Sequence, residues 1–142
     1  MRKLLLIAAF MSSSVWAQDL QRVFELPGRS AASIAQAAQI SLGNVERKTV
    51  SDSAISFRAQ THCLIGSGFF AVKLPLNSDV IIEAREGRYR FTVQNAYFPE
   101  TGALGVKLQD HAADSSTRKS CMDSLELFAA GLHSKIQNYK DF

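Results

Sequence analysis

The sequence predicts an α+β domain, a single curved antiparallel sheet in the order strand, helix, four strands, helix, with both helices packed on one face. Three observations predict it. Residues 31–42 are rich in alanine and are framed by Ser30 and Gly43-Asn44. From Thr49 to Tyr97 the pattern alternates between apolar and polar side chains, broken by turn residues. From residue 117 onward apolar side chains return at three-four spacing. Helices and strands repeat every 3.6 and 2 residues, so the two patterns separate cleanly.

The elements follow in order. Residues 20–26 form a strand with Leu20, Phe24 and Leu26 on one face, closed by Pro27-Gly28. Ser30 is a good N-cap for a helix over 31–42. Its stripe, Ile34, Ala37, Ala38 and Ser41, is mostly small, which lets the backbone lie close to a sheet. Next, Ile55, Phe57 and Ala59 share the face of a strand opposite Ser56 and Arg58. Residues 64–74 read as a second strand, residues 75–78 as a turn beginning at Pro75, and residues 79–85 as a third strand. Glu86-Gly87 is a tight link into residues 88–97. There Tyr89, Phe91, Val93 and Asn95 face one way, and Arg88, Arg90, Thr92 and Gln94 the other. Such alternation marks a sheet with one covered and one wet face. Residues 99–116 are irregular, with an apolar piece at 104–108 that is either an edge strand or loop. The last helix, 117–139, carries Met122, Leu125, Ala129, Leu132, Ile136 and Tyr139 on one stripe.

Residues 1–17 read as a cleaved signal peptide. Arg2 and Lys3 precede the apolar run from Leu4 to Met11, and Val15-Trp16-Ala17 offers a cleavage site before Gln18. The run is about half the 20 residues a membrane span needs. Domain boundaries are therefore 1–17 and 18–142, with a periplasmic or secreted location and no stable membrane span after cleavage. The chain has 16 Lys+Arg against 13 Asp+Glu. Without Arg2 and Lys3 that becomes 14 against 13, a net +1. A nucleic-acid partner is not expected at that balance, because phosphate neutralisation needs a clustered positive excess.

Cys63 and Cys121 make an even pair in a chain expected to reach an oxidising compartment, where a bridge between them would persist. Two buried thiols or one reactive thiol are the alternatives. No cysteine or histidine stands at zinc-ligand spacing from either, so no metal or other cofactor is expected.

The segments Phe24-Glu25-Leu26-Pro27-Gly28, Gly66-Ser67-Gly68 and, above all, Glu86 to Val93 resemble a family of exported bacterial domains of unknown function with a TATA-binding-protein-like (TBP-like) fold. The likeness covers nearly the whole of residues 18–142. It implies one sheet backed by two helices, and it implies no activity or ligand. A fold shared with a DNA-binding protein does not bring DNA binding with it.

Candidate chemistry is sparse. His62-Cys63 is poorly arranged for a thiolate and base, since neighbours on a strand point to opposite faces. Asp110, His111 and Asp114 match no ligand motif and read as loop residues. Gly66-Ser67-Gly68 lacks the ending of a phosphate-binding loop. His133 is placed at the edge of the packed helix face. The wet sheet face is the best candidate site: Arg88, Arg90, Thr92 and Arg58, joined by Arg85, Gln94 and Glu83. The expected partner, an envelope protein or polymer, is met through this face or the loop at residues 99–116, making the chain a non-enzymatic binding or support module. The alternative is a small exported hydrolase.

Overall fold

The computed structural model describes residues 18–66, 68–99, 106–111 and 115–139. The signal-peptide reading and Asp114 lie outside them, as does Ser67. The elements are β1 (Gln18–Glu25), α1 (Ala31–Leu42), β2 (Glu46–Val50), β3 (Ala54–Ile65), β4 (Val72–Arg85), β5 (Arg88–Phe98), β6 (Val106–Lys107) and α2 (Ser116–Asn138). The sheet order is β1-β5-β4-β3-β2, every pairing is antiparallel, and β6 continues beside the end of β5. From β1 at one edge the chain crosses beneath the sheet as α1 to the far edge, and returns strand by strand to β5 beside β1.

Helix α1 forms where the propensities place it. The Ser30 hydroxyl accepts the Ser33 N–H at 3.1 Å, and Gly43 ends the helix at φ 61°. Ile34, Ala35, Ala37 and Ala38 are buried. The β1–α1 corner is tied to the β4–β5 turn by backbone bonds, Leu26 N–H to the Gly87 carbonyl and Gly87 N–H to the Arg29 carbonyl, both 2.8 Å. Arg29 also donates to the Ile136 carbonyl at 2.8 Å, placing a cation at the C-terminal end of α2 where the helix dipole favours it.

One face of the sheet is covered. Ile55, Phe57, Val80, Ile82, Tyr89, Phe91 and Val93 meet Leu125, Ala129, Leu132 and Ile136 of α2 and the small stripe of α1. These are the faces the alternation predicts for β3, the second half of β4 and the first half of β5.

The turn between β3 and β4 differs from expectation. It lies at Gly66 to Ala71, with a single helical turn at Gly68–Phe70, and not at residues 75–78. Pro75 sits inside β4, opposite His62. It is tolerated because β4 pairs with β5 only from Asn77 onward, so no β5 carbonyl needs the N–H that proline lacks. Gly66 is required at the new turn. Its φ is 91°, and a methyl there would lie 2.7 Å from the Phe70 carbonyl oxygen.

β3 and β4 therefore run beyond their neighbours as a two-stranded arm, a form marginally stable by itself. Helix α2 lies along the open edge of β3 and secures it. The Ser120 hydroxyl donates to the Leu64 carbonyl at 2.6 Å and the Ser124 hydroxyl to the His62 carbonyl at 2.8 Å. Between them Cys121 is bonded to Cys63, with Cα atoms 4.7 Å apart. The expected disulfide is present, and it joins this helix to this edge.

Candidate functional site

The face that neither helix covers is built from side chains of β1, β5, β4 and β3 that alternate with the core residues. The register aligns Val23, Arg90, Glu83 and Ala54 in one row and Gln21, Thr92, Ile81 and Ser56 in the next. Arg90 grips Glu83 through two nitrogens, Nη2 to Oε2 at 2.7 Å and to Oε1 at 2.8 Å, with Nε to Oε1 at 3.2 Å. That fork-on-carboxylate geometry holds both side chains flat on the sheet. Arg58 lies with Nε 3.9 Å from Asp79 Oδ1, and its guanidinium sits 5.9 Å from the centre of the Tyr97 ring. The buried Arg58 Nε has no hydrogen-bond partner among the described residues. Asn95 donates to Asp79 Oδ2 at 3.1 Å, and Asn77 to the Tyr97 hydroxyl at 3.4 Å.

The expected residues fare differently. Arg58 and Arg90 share the open face, each beside a carboxylate, so the basic cluster is largely balanced. Arg88 and Arg85 are exposed at the hairpin end, opposite each other. Thr92 is not part of a wet surface. It is only 5 % exposed, because on β5, flanked by β1 and β4, its short side chain lies among the longer Gln21, Ile81, Arg90 and Gln94. Asn95 is exposed and stands apart from Tyr89, Phe91 and Val93.

The reason is a bulge. Asn95 has φ 56°, the β4–β5 register shifts between Asn77 and Asp79, and from there Ala96 and Phe98 point into the core while Tyr97 turns outward. An unbroken period of two places Asn95 in the core and hides Tyr97 and Asn77 from the open face. The available signal was the residue type, since asparagine is the side chain most at ease at positive φ after glycine. Asp19 fits against the same irregularity. Its Oδ2 accepts the Ala96 N–H at 2.9 Å. Burial raises its carboxyl above the ordinary aspartate value, against the opposing effects of the Ala96 and Gln109 hydrogen bonds and the nearby Arg118 charge.

The other candidates do not converge. His62 is exposed while Cys63 is buried and bridged, on opposite faces as the strand requires. Asp110 accepts the Lys107 N–H at 3.2 Å, and His111 packs edge-on against Phe98. His133 Nδ1 shares a 2.7 Å hydrogen bond with the Tyr89 hydroxyl, and the imidazole stacks on Phe24 at 4.3 Å. Burial pushes Tyr89 up from its ordinary value and lowers His133. Among the described residues no three His, Cys, Asp or Glu side chains are grouped to hold a metal. A cleft of about 550 Å³ opens between the end of α1, β2, β3 and α2, lined by Phe57, Phe128, Leu132, Arg58, Glu46 and Lys135 among others. Asp110, His111 and His133 do not line it.

No family model and no curated protein matches the chain. Two solved structures are similar in fold. One is a TBP-like protein from Parabacteroides distasonis, with a TM-score of 0.65 and 14% identity over 85% of this chain and 93% of that one. The other is a DUF4468 family protein from Bacteroides ovatus, with a TM-score of 0.62 and 14% identity over 86% of each chain. The chain has a TBP-like α+β fold, of a kind found in bacterial proteins of unknown function, as the resemblance of its segments implied.

Proposed function

We propose that this chain is an exported, non-catalytic binding or support module of a bacterial cell envelope, and that its uncovered sheet face receives an envelope protein or polymer. The observation that carries this reading is the one-sided cover of the sheet. Both helices take the same face, leaving a broad surface whose charged and aromatic groups are held in place by mutual contacts. A surface held in this way loses little side-chain freedom on binding. The part-exposed Arg58 and Arg90 guanidinium groups and the Tyr97 ring are the groups on that face that would meet a polar partner. The candidate acid–base residues, by contrast, are spread over separate elements.

Export is supported by the pattern of residues 1–17 and by the disulfide, which persists in oxidising compartments. Among the described residues no helix is long and apolar enough to cross a membrane.

The test is recovery of the C-terminally tagged chain from its own cells. N-terminal sequencing of the periplasmic or secreted protein should begin at Gln18. Envelope components retained by the parent should be lost by an Arg58→Ala/Arg90→Ala variant that melts within a few degrees of it. Equal retention by both would remove the open face from the account.

A further inference from the structure

The β3–β4 arm ends in an apolar tip that the open-face reading does not use. Phe69 is 104 % exposed and Phe70 87 %, and Val72 and Leu64 beside them are more than half exposed. Large apolar side chains are normally scattered singly on a surface, so four around one turn mark a contact site. The tip is the end of a two-stranded ribbon, and none of these four side chains lines the cleft beside α2. The ribbon itself carries no carboxylate, and the nearest exposed one on α2, Asp123, lies one turn further from the tip than Lys119. No Asp or Glu occurs between Asp52 and Asp79, whereas Lys73 stands opposite Leu64 across the ribbon. Lys119 joins it from α2, one residue before the Ser120 that bonds the Leu64 carbonyl. Both lysines are exposed.

From these features we infer that the arm is a membrane-touching wedge: Phe69 and Phe70 enter the interfacial layer of an anionic lipid surface while Lys73 and Lys119 meet its headgroups. Aromatic and apolar side chains at the boundary layer, flanked by lysine, are the arrangement that an anionic bilayer binds. The disulfide and the two serine bonds give the wedge its stiffness, because they fasten the arm to α2 just behind the tip.

The test uses the exported protein beginning at Gln18, which lacks Trp16 and so carries no tryptophan, with one tryptophan introduced by Phe70→Trp, or by Ile40→Trp on α1 as a control. Each protein is titrated with phosphatidylglycerol/phosphatidylethanolamine vesicles and with phosphatidylcholine vesicles, each with and without brominated chains. The Phe70→Trp protein should shift to the blue and be quenched by brominated anionic lipid, and the Ile40→Trp protein should not. Adding Lys73→Gln and Lys119→Gln should raise the lipid needed for half the response about tenfold or more. Unchanged emission of the Phe70→Trp protein on anionic vesicles would overturn the proposal, as would an equal response on phosphatidylcholine. A blue shift that follows protein concentration without lipid would assign the tip to a second copy instead.

Discussion

Ser120 donates its hydroxyl to the carbonyl of Leu64 at 2.6 Å, and the next residue, Cys121, is the one bonded to Cys63. A strand edge without a neighbour exposes carbonyls and N–H groups to unwanted pairing. Here a helix supplies hydroxyls in place of a neighbouring strand, and a covalent bond holds it there. Removing the bond by Cys63→Ala/Cys121→Ala should lower unfolding stability by about 2–4 kcal/mol in urea titrations. Ser120→Ala/Ser124→Ala should cost less, about 1–2 kcal/mol in total. Denatured, unreduced parent protein should show no thiol to a labelling reagent.

Gly66→Ala should destabilise the arm by about 1–3 kcal/mol, since both the positive φ and the Phe70 carbonyl oppose a side chain. Pro75→Ala should be mild by comparison. Equal effects on the urea midpoint would show that the turn is elsewhere.

His133 makes stability depend on pH. Its imidazole is lowered by burial, so as pH falls the unfolded chain takes up the proton first, near the ordinary value of 6.5. The contribution is whole above that pH and is lost as pH falls through the lowered folded value. Melting temperature should therefore drop between pH 7 and pH 5 in the parent. A His133→Gln variant should be less stable at pH 7 and flatter across that range.

Asp19 works in the opposite direction. Burial raises its carboxyl, so its contribution is whole below the ordinary 3.8 and is lost as pH rises through the folded value. Asp19→Asn keeps an oxygen for the Ala96 N–H and removes the buried charge. At pH 7 its melting temperature should be no lower than the parent's, with any advantage shrinking toward pH 4. A clear loss at pH 7 would mean that the charge is needed against Arg118.

Much of the fold can be read locally. Helix α1 occupies 31–42 as predicted because its cap, its alanines and its glycine stop all act within the segment. The Tyr89, Phe91 and Val93 face follows from period alone. What could not be read depends on partners distant in sequence. Pro75 resembles a turn residue until it is known that β5 does not reach it. Thr92 looks exposed until Gln21 and Ile81 are placed on either side. Asn95 looks like the next core position until the bulge reverses the alternation. Arg58 and Arg90 were legible as members of the open face. Glu83, the partner of Arg90, was legible with them; the partners of Arg58 were less so, since Asp79 faces it across a strand pair and the Tyr97 ring is turned outward only by the bulge.

The account turns on which face of the sheet meets a partner. A photoreactive amino acid placed at Ile81 on the open face, or at Gln39 on the outer side of α1, and irradiated in intact cells tests this directly. The account predicts a discrete crosslinked product from position 81 that is absent from position 39. Products from position 39 alone would contradict it and place the interface on the helices.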